Sequence, residues 1–132
     1  MKPRGKRKRY AMGTVVVIGN IERLYFCCAY SRMSNDNVAE SSVDQLWSSL
    51  SMLWATIRDR GQLEPVSIAV VGSELARLSS QLSQTDLARL ISLSFLTASR
   101  QKIVTRRLTI VIHSKNADLV DLRALAEFVR NW

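Results

Sequence analysis

Four largely apolar runs, three of them rich in β-branched residues, constrain this chain more than any other feature. "GTVVVIGN" (13–20), "RLYFCCAYS" (23–31), "VSIAVV" (66–71) and "RLTIVIHS" (107–114) each read as a strand. Neither of the first two alternates cleanly: Val15, Val16, Val17 and Ile18 are apolar in succession, as are Leu24 to Ala29. An unbroken apolar strand expects cover on both faces, which selects a layered α/β sheet over a one-sided meander. The short break "GNIE" holds Gly19 and Asn20, both able to take positive φ, and predicts a hairpin joining the first two strands.

The segments between the strands supply the helices. The polar stretch 31–42 reads as a loop. Ser42 with Gln45 predicts a capping box. Val43, Leu46, Trp47, Leu50, Leu53, Trp54 and Ile57 then form one apolar stripe at helical spacing over 42–60. Gly61 stops that helix, and Pro65 reinforces the break. Ser83 with Asp86 opens a second helix, whose stripe is Leu87, Leu90, Ile91, Ser94, Phe95 and Ala98 and which ends near Arg100. Asp118 is predicted to cap a last helix using Leu122, Leu125, Ala126, Phe128 and Val129. The order β-β-α-β-α-β-α describes one α/β layer domain. Beginning abruptly with a hairpin, it is either a small complete domain or one that lacks its first part.

Charge divides the chain in two. Of 19 basic residues, Lys2, Arg4, Lys6, Arg7, Lys8 and Arg9 form a leader over 1–12, and the domain 13–132 behind it is nearly neutral. The leader suits phosphate neutralisation on nucleic acid, or it is a solvated arm. Its one aromatic neighbour is Tyr10, and no basic patch on the fold is evident behind it. No apolar run reaches the roughly 18–20 residues a bilayer span needs, and no apolar segment follows the basic start as in a secretory signal. Cys27 and Cys28 are adjacent, so a strand would point them to opposite faces, where they form neither a disulfide nor half a metal site. They read as small buried apolar residues in a reducing, cytoplasmic setting. His113 has no histidine or cysteine partner for a metal, and Trp47 and Trp54 read as core. With no His, Cys or carboxylate pair converging on one loop, an enzyme is not expected.

One turn stands apart. The strand from Val66 breaks at Gly72-Ser73 and passes at once to Arg77. A glycine turn at the carboxyl end of a buried strand lets main-chain N–H groups converge, in the place where open α/β sheets take ligands. Such a turn is either a plain connector or a cradle for an anion.

The order and spacing of "GTVVVI", "LWSSLSMLWATIRDRGQLEPVSIAVVGSELARL", "ISLSFLTASRQ" and "RLTIVIHSKNADLVDLRALAEFV" resembles the second half of a macro domain. More narrowly, it resembles the macro domain of bacterial Thoeris antiphage-defence effectors. The resemblance implies a macro-domain-like three-layer α/β/α fold with a mixed sheet, truncated at the N-terminus because the family's opening strand-and-helix section has no counterpart. It implies a sensor for an ADP-ribose-type nucleotide made from NAD by a TIR-domain protein. Such a sensor needs no other cofactor, does not turn the signal over, and is compatible with a homo-oligomer. Gly72, Ser73 and Leu75 match the family's Gly-Ser/Thr-Gly-Leu diphosphate loop, and Arg77 would offset ligand charge. Glu74 stands where the second glycine is usual. A carboxylate ~4 Å from a pyrophosphate costs about 4 kcal/mol at intermediate dielectric before screening, so binding requires Glu74 to point away. Tyr30 and Ser31 either face the same crevice or simply end their strand. The alternative is a basic-arm nucleic-acid-binding or protein-interaction module.

Overall fold

The computed structural model describes Ala11 and residues 13–20, 22–29, 32–33, 39–40, 42–70 and 83–131. The hairpin forms as the sequence predicts: β1 (Val15–Gly19) pairs antiparallel with β2 (Leu24–Cys28), Val17 opposite Phe26. Asn20 closes its tip, donating its N–H to Arg23 O at 3.0 Å while its Oδ1 accepts from the N–H groups of Glu22 and Arg23. Gly19 has φ 129°, and a Cβ there would collide with the Arg23 carbonyl oxygen, so this turn requires glycine. At the open end, Gly13 donates to Ala29 O at 2.7 Å and Ala29 donates to Thr14 O at 2.9 Å. Two residues thus oppose one, with Gly13 at φ 85°, which is a glycine bulge, and Met52 lies where a Cβ on Gly13 would point.

The stretch 31–42 is not wholly a loop. β3 (Arg32–Met33) and β4 (Ala39–Glu40) make a two-residue antiparallel ladder within it. Main-chain pairing of that length needs no apolar pattern, so composition did not signal it. α1 (Val43–Arg60) then starts on the predicted capping box: Ser42 Oγ accepts from Gln45 N–H at 3.2 Å and Gln45 Oε1 accepts from Ser42 N–H at 3.1 Å. Gly61 ends it by donating to Ile57 O at 2.7 Å, but Gly61 keeps φ −87°. The left-handed turn falls instead on Gln62 (φ 54°) and Leu63 (φ 62°), an uncommon load for residues with a Cβ.

β5 (Val66–Ala69), α2 (Gln84–Gln101) and β6 (Leu108–Val111) form a strand–helix–strand unit with the two strands parallel, Ile68 opposite Ile110. A 3₁₀ segment (Ser114–Leu119) leads to α3 (Leu122–Asn131). The cap of α3 is Asp121, not Asp118: Asp121 Oδ1 accepts from Ala124 N–H at 2.9 Å, and Asp121 N–H donates to Thr85 Oγ1 at 3.0 Å. Because the chain winds tightly through 114–119, Asp118 is consumed inside that segment and the helix can begin only after it.

The core lies between α1 and α2. Leu46, Leu50, Leu53, Trp54 and Ile57 pack with Leu87, Ala88, Ile91 and Val104, all buried. Trp54 Nε1 donates to Ser94 Oγ at 2.9 Å, and the Trp54 ring meets Phe95 edge-on at 5.3 Å between centroids. One turn on, Arg58 Nη2 donates to Ala98 O at 2.7 Å. Residue 54 thus faces 94 and 58 faces 98, so the helices run parallel. This explains the serine in the apolar stripe of α2: it answers an indole N–H. Of the two tryptophans expected in the core, Trp54 is fully buried and Trp47 only half-buried.

Val15, Phe26, Cys28, Val66, Ile68, Leu108 and Ile110 point into this core. Their neighbours Val16, Ile18, Tyr25, Cys27, Ser67, Ala69, Thr109 and Val111 are exposed. The expected cover on both faces is therefore not met among the described residues, where the helices lie on one face only. Burial alternates along strands whose hydrophobicity does not. The described strands also form three separate pairs (β1 with β2, β3 with β4, β5 with β6), and the architecture is α/β.

Candidate functional site

The parallel unit sets the geometry of the site. β5 and β6 end side by side, Ala69 opposite Val111, and Val70 continues the ladder by donating to Val111 O at 3.2 Å. Val70 is buried and is the last described residue before residue 83. The described chain resumes at Ser83, whose Oγ accepts from Asp86 N–H at 3.1 Å and caps α2. A strand's carboxyl end therefore precedes residues 71–82, and the N-terminus of an 18-residue helix follows them. Such a frame favours negative charge, through converging N–H groups and the helix dipole. Gly72, Ser73, Glu74, Leu75 and Arg77 all fall on that segment and lie outside the described residues, as do Tyr30, Ser31, Tyr10 and the basic leader. His113 and Ser114 are exposed beyond the carboxyl end of β6.

A cleft also lies along the hairpin and the parallel pair. A cavity of about 1040 Å³ separates β2 from β5, with Leu53, Trp54 and Ile57 of α1 beneath it and Arg23, Arg60 and Glu64 among its lining residues. It lies alongside Pro65 to Ile68, towards the amino end of β5. A second cavity, about 570 Å³ and mainly apolar, lies between α2, the inner face of β6 and α3, where Phe95, Ile110, Leu125 and Val129 meet. No residue of α3 is buried, and Leu122 at its start is 66% exposed.

The cysteines separate as the pleat dictates. Cys28 faces α1, donating its thiol to Ser49 O at 3.4 Å, while Ser49 Oγ donates to Ala29 O at 3.3 Å. Burial pushes the Cys28 thiol up to about 11. Cys27 is exposed, against the expectation that both are buried, because only one face of the hairpin is covered. Among the described residues no three His, Cys, Asp or Glu side chains come together as metal ligands.

Folding also gathers charge that the sequence disperses. α1 and α2 end at the same side of the molecule, and Arg106 N–H donates to Leu63 O at 3.5 Å, which brings the lead-in to β6 there as well. The segments that come together there carry Arg58, Arg60, Arg100, Lys102, Arg106 and Arg107, with Asp59 and Glu64. The rim is assembled from two stretches some 40 residues apart, and neither is a charge run on its own.

A hairpin and a parallel strand–helix–strand unit, packed on paired helices, define an α/β domain. The model of the family described as Thoeris protein ThsA, Macro domain, matches residues 1–113, and the chain belongs to that family. It is a macro-domain module of Thoeris defence. The matched residues include the basic stretch, the hairpin and the parallel unit, and they stop before the 3₁₀ segment and α3. No curated protein matches the chain. Among the described residues no helix is long and apolar enough to cross a membrane.

Proposed function

We propose that the chain senses an ADP-ribose-type nucleotide derived from NAD, holding its diphosphate at the Gly72–Ser73 turn without turning it over. The observation that carries this is the family match across β5 and residues 71–82, joined to the parallel pairing that brings the carboxyl ends of β5 and β6 together. In this reading the N–H groups of Gly72 and Ser73 meet the phosphates, Leu75 packs beneath them, Arg77 offsets their charge and Glu74 turns outward. In a three-layer sandwich the exposed face of the strands would be covered. A TIR-domain protein supplies the signal in the bacterial cytoplasm, no other cofactor is needed, and like copies associate.

Calorimetric titration of the full chain with ADP-ribose tests this. Binding is expected to weaken roughly 10- to 100-fold in Arg77→Ala, the loss of one charge-assisted hydrogen bond of about 1.5–3 kcal/mol. It should tighten in Glu74→Gly. Absence of heat at millimolar ligand removes the reading, and release of free ADP-ribose from an ADP-ribosylated substrate replaces sensing with hydrolysis.

A further inference from the structure

One end of the molecule holds more positive charge than its own acids offset. α1 and α2 finish side by side, since Arg58 Nη2 donates to Ala98 O at 2.7 Å. Two turns meet at these helix ends. In the first, Glu64 N–H donates to Gly61 O at 3.1 Å. The second, 102–107, is tied to it: Arg106 N–H donates to Leu63 O at 3.5 Å, and Val66 N–H to Arg107 O at 2.9 Å. Val104 and Thr105 are buried and anchor the second turn, and Thr105 Oγ1 donates to Glu64 O at 2.5 Å. Their neighbours Lys102, Ile103, Arg106 and Arg107 are exposed, as are Asp59, Arg60, Glu64 and Arg100. Among the described residues Arg60, Lys102, Arg106 and Arg107 make no ion pair, and neither do Asp59 and Glu64. With Arg58 and Arg100 these segments carry six cations against two acids, whereas the rest of 13–132 holds seven basic and nine acidic residues. Ile103, 51% exposed, stands within that positive end.

We infer that this end docks the domain on an anionic phospholipid surface, with its cations at the headgroups and Ile103 at the acyl boundary. Ile103 selects that partner. Cations alone serve any polyanion. An apolar side chain held out among them gains from a bilayer, where hydrocarbon begins within about 5–10 Å of the headgroups. Beside the hydrated phosphates of a duplex it gains nothing. Neither 58–64 nor 100–107 contains an aromatic residue, so these segments offer unpaired bases no stacking platform. Residues 100–107 line neither cavity described above, so the second turn presents a surface and not a pocket. Helix carboxyl ends disfavour anions, but Arg58 at Ala98 O already meets the negative pole of α2. An excess of about three charges favours an anionic over a neutral surface roughly a hundredfold, at about fivefold per charge. The inference goes beyond nucleotide sensing and does not rest on it. This surface adjoins the amino ends of β5 and β6, and the proposed diphosphate turn follows a carboxyl end.

Cosedimentation of the full chain with phosphatidylcholine vesicles holding about 30% phosphatidylserine, in about 150 mM salt, tests the inference. Binding is expected to be at least about tenfold tighter than to pure phosphatidylcholine vesicles. Lys102→Gln combined with Arg106→Gln should weaken it about 25-fold, and Ile103→Ser about fivefold. Arg123→Gln, which removes an exposed cation on α3, should leave it within about twofold. Deleting residues 2–9 takes away the leader's share and should leave the effects at 102, 103 and 106 in place. In the unaltered protein, amide exchange at Ile103 should slow about tenfold on the anionic vesicles, which decides the matter where a variant fails to fold. Four results would overturn the inference. The two kinds of vesicle bind equally. Deletion of 2–9 abolishes binding outright. Exchange at Ile103 is unmoved by vesicles. Or a duplex DNA displaces the vesicles and its own binding responds to Lys102→Gln with Arg106→Gln but not to Ile103→Ser, which assigns the surface to nucleic acid.

Discussion

Ser94→Ala removes one hydroxyl from the middle of the helix pair, and the structure says what that hydroxyl does. Ser94 Oγ accepts from Trp54 Nε1 at 2.9 Å and donates to Ile91 O at 2.9 Å, and Ser94 and Trp54 are both buried. Its removal leaves a buried indole N–H without an acceptor, a penalty of about 1–3 kcal/mol. Alanine recovers about 0.5 kcal/mol in helix propensity. The net loss is about 1–2 kcal/mol, a fall in Tm of roughly 4–8 °C for a domain of this size. Trp54→Phe is the control. It leaves Ser94 Oγ still bonded to Ile91, so no group is orphaned, although the lost ring volume has its own cost. In the Trp54→Phe background Ser94→Ala should therefore cost almost nothing, and the cycle should show about 1 kcal/mol of coupling. Urea unfolding followed by far-UV circular dichroism reads all four proteins, since fluorescence changes with the tryptophan itself. Equal cost of Ser94→Ala in both backgrounds would show that serine serves packing or helix geometry and not the indole.

Two further perturbations probe the hairpin and the last helix. Cys27 is exposed while burial pushes Cys28 up to about 11, so a thiol reagent at mildly alkaline pH is expected to modify Cys27 first and Cys28 only after unfolding, a result that peptide mapping by mass spectrometry checks. The same shift has a sign for stability. Cys28 ionises in the unfolded chain near the ordinary thiol value of 9.0 but in the folded chain only near 11, so its contribution is intact below pH 9 and lost as pH rises from 9 to 11. Asp121→Ala removes the acceptor for Ala124 N–H, worth about 1 kcal/mol; because no residue of α3 is buried, amide exchange should show fraying confined to 122–131, and global unfolding on that change would refute the assignment of α3 as a marginal appendage.

Local rules read well in this sequence, and non-local ones did not. Ser42 with Gln45 and Ser83 with Asp86 predicted both long helices because a cap is decided within four residues. Gly19 and Asn20 predicted the hairpin for the same reason. Asp118 misled because a 3₁₀ segment and a cap use the same residue types, and only contact with Thr85 at the start of α2 decides where the helix begins. Val16, Ile18 and Tyr25 misled in another way: their apolarity predicts cover, but whether a layer lies over them is a property of the whole assembly. The partner of each strand was illegible too. Parallel pairing of β5 with β6 spans some 40 residues of chain, and no local pattern encodes it. Gly72, Ser73, Leu75 and Arg77 were legible as a motif, and the structure contributes the frame on either side of them.

The basic rim shows how much charge is left once the fold's own needs are met. Arg58 and Arg60 sit in the last turn of α1 and Arg100 in that of α2, where cations offset the negative pole of each helix, equivalent to about half a charge apiece. Asp59 and Glu64 offset two more of the six basic residues. An excess of about three positive charges remains, against six on the leader 2–9. These two sources differ in how salt acts on them, because the affinity for duplex DNA falls with about 0.9 power of salt per phosphate neutralised. Three contacts lose about fortyfold between about 50 and 200 mM salt, and six lose roughly two-thousandfold. If the full chain binds a duplex through its leader, the steep dependence should vanish on deletion of 2–9 and leave the shallow one. A steep dependence that survives the deletion would mean that the rim engages more phosphates than its residual charge permits, and the offsetting of Arg58, Arg60 and Arg100 by the helix ends would then be wrong.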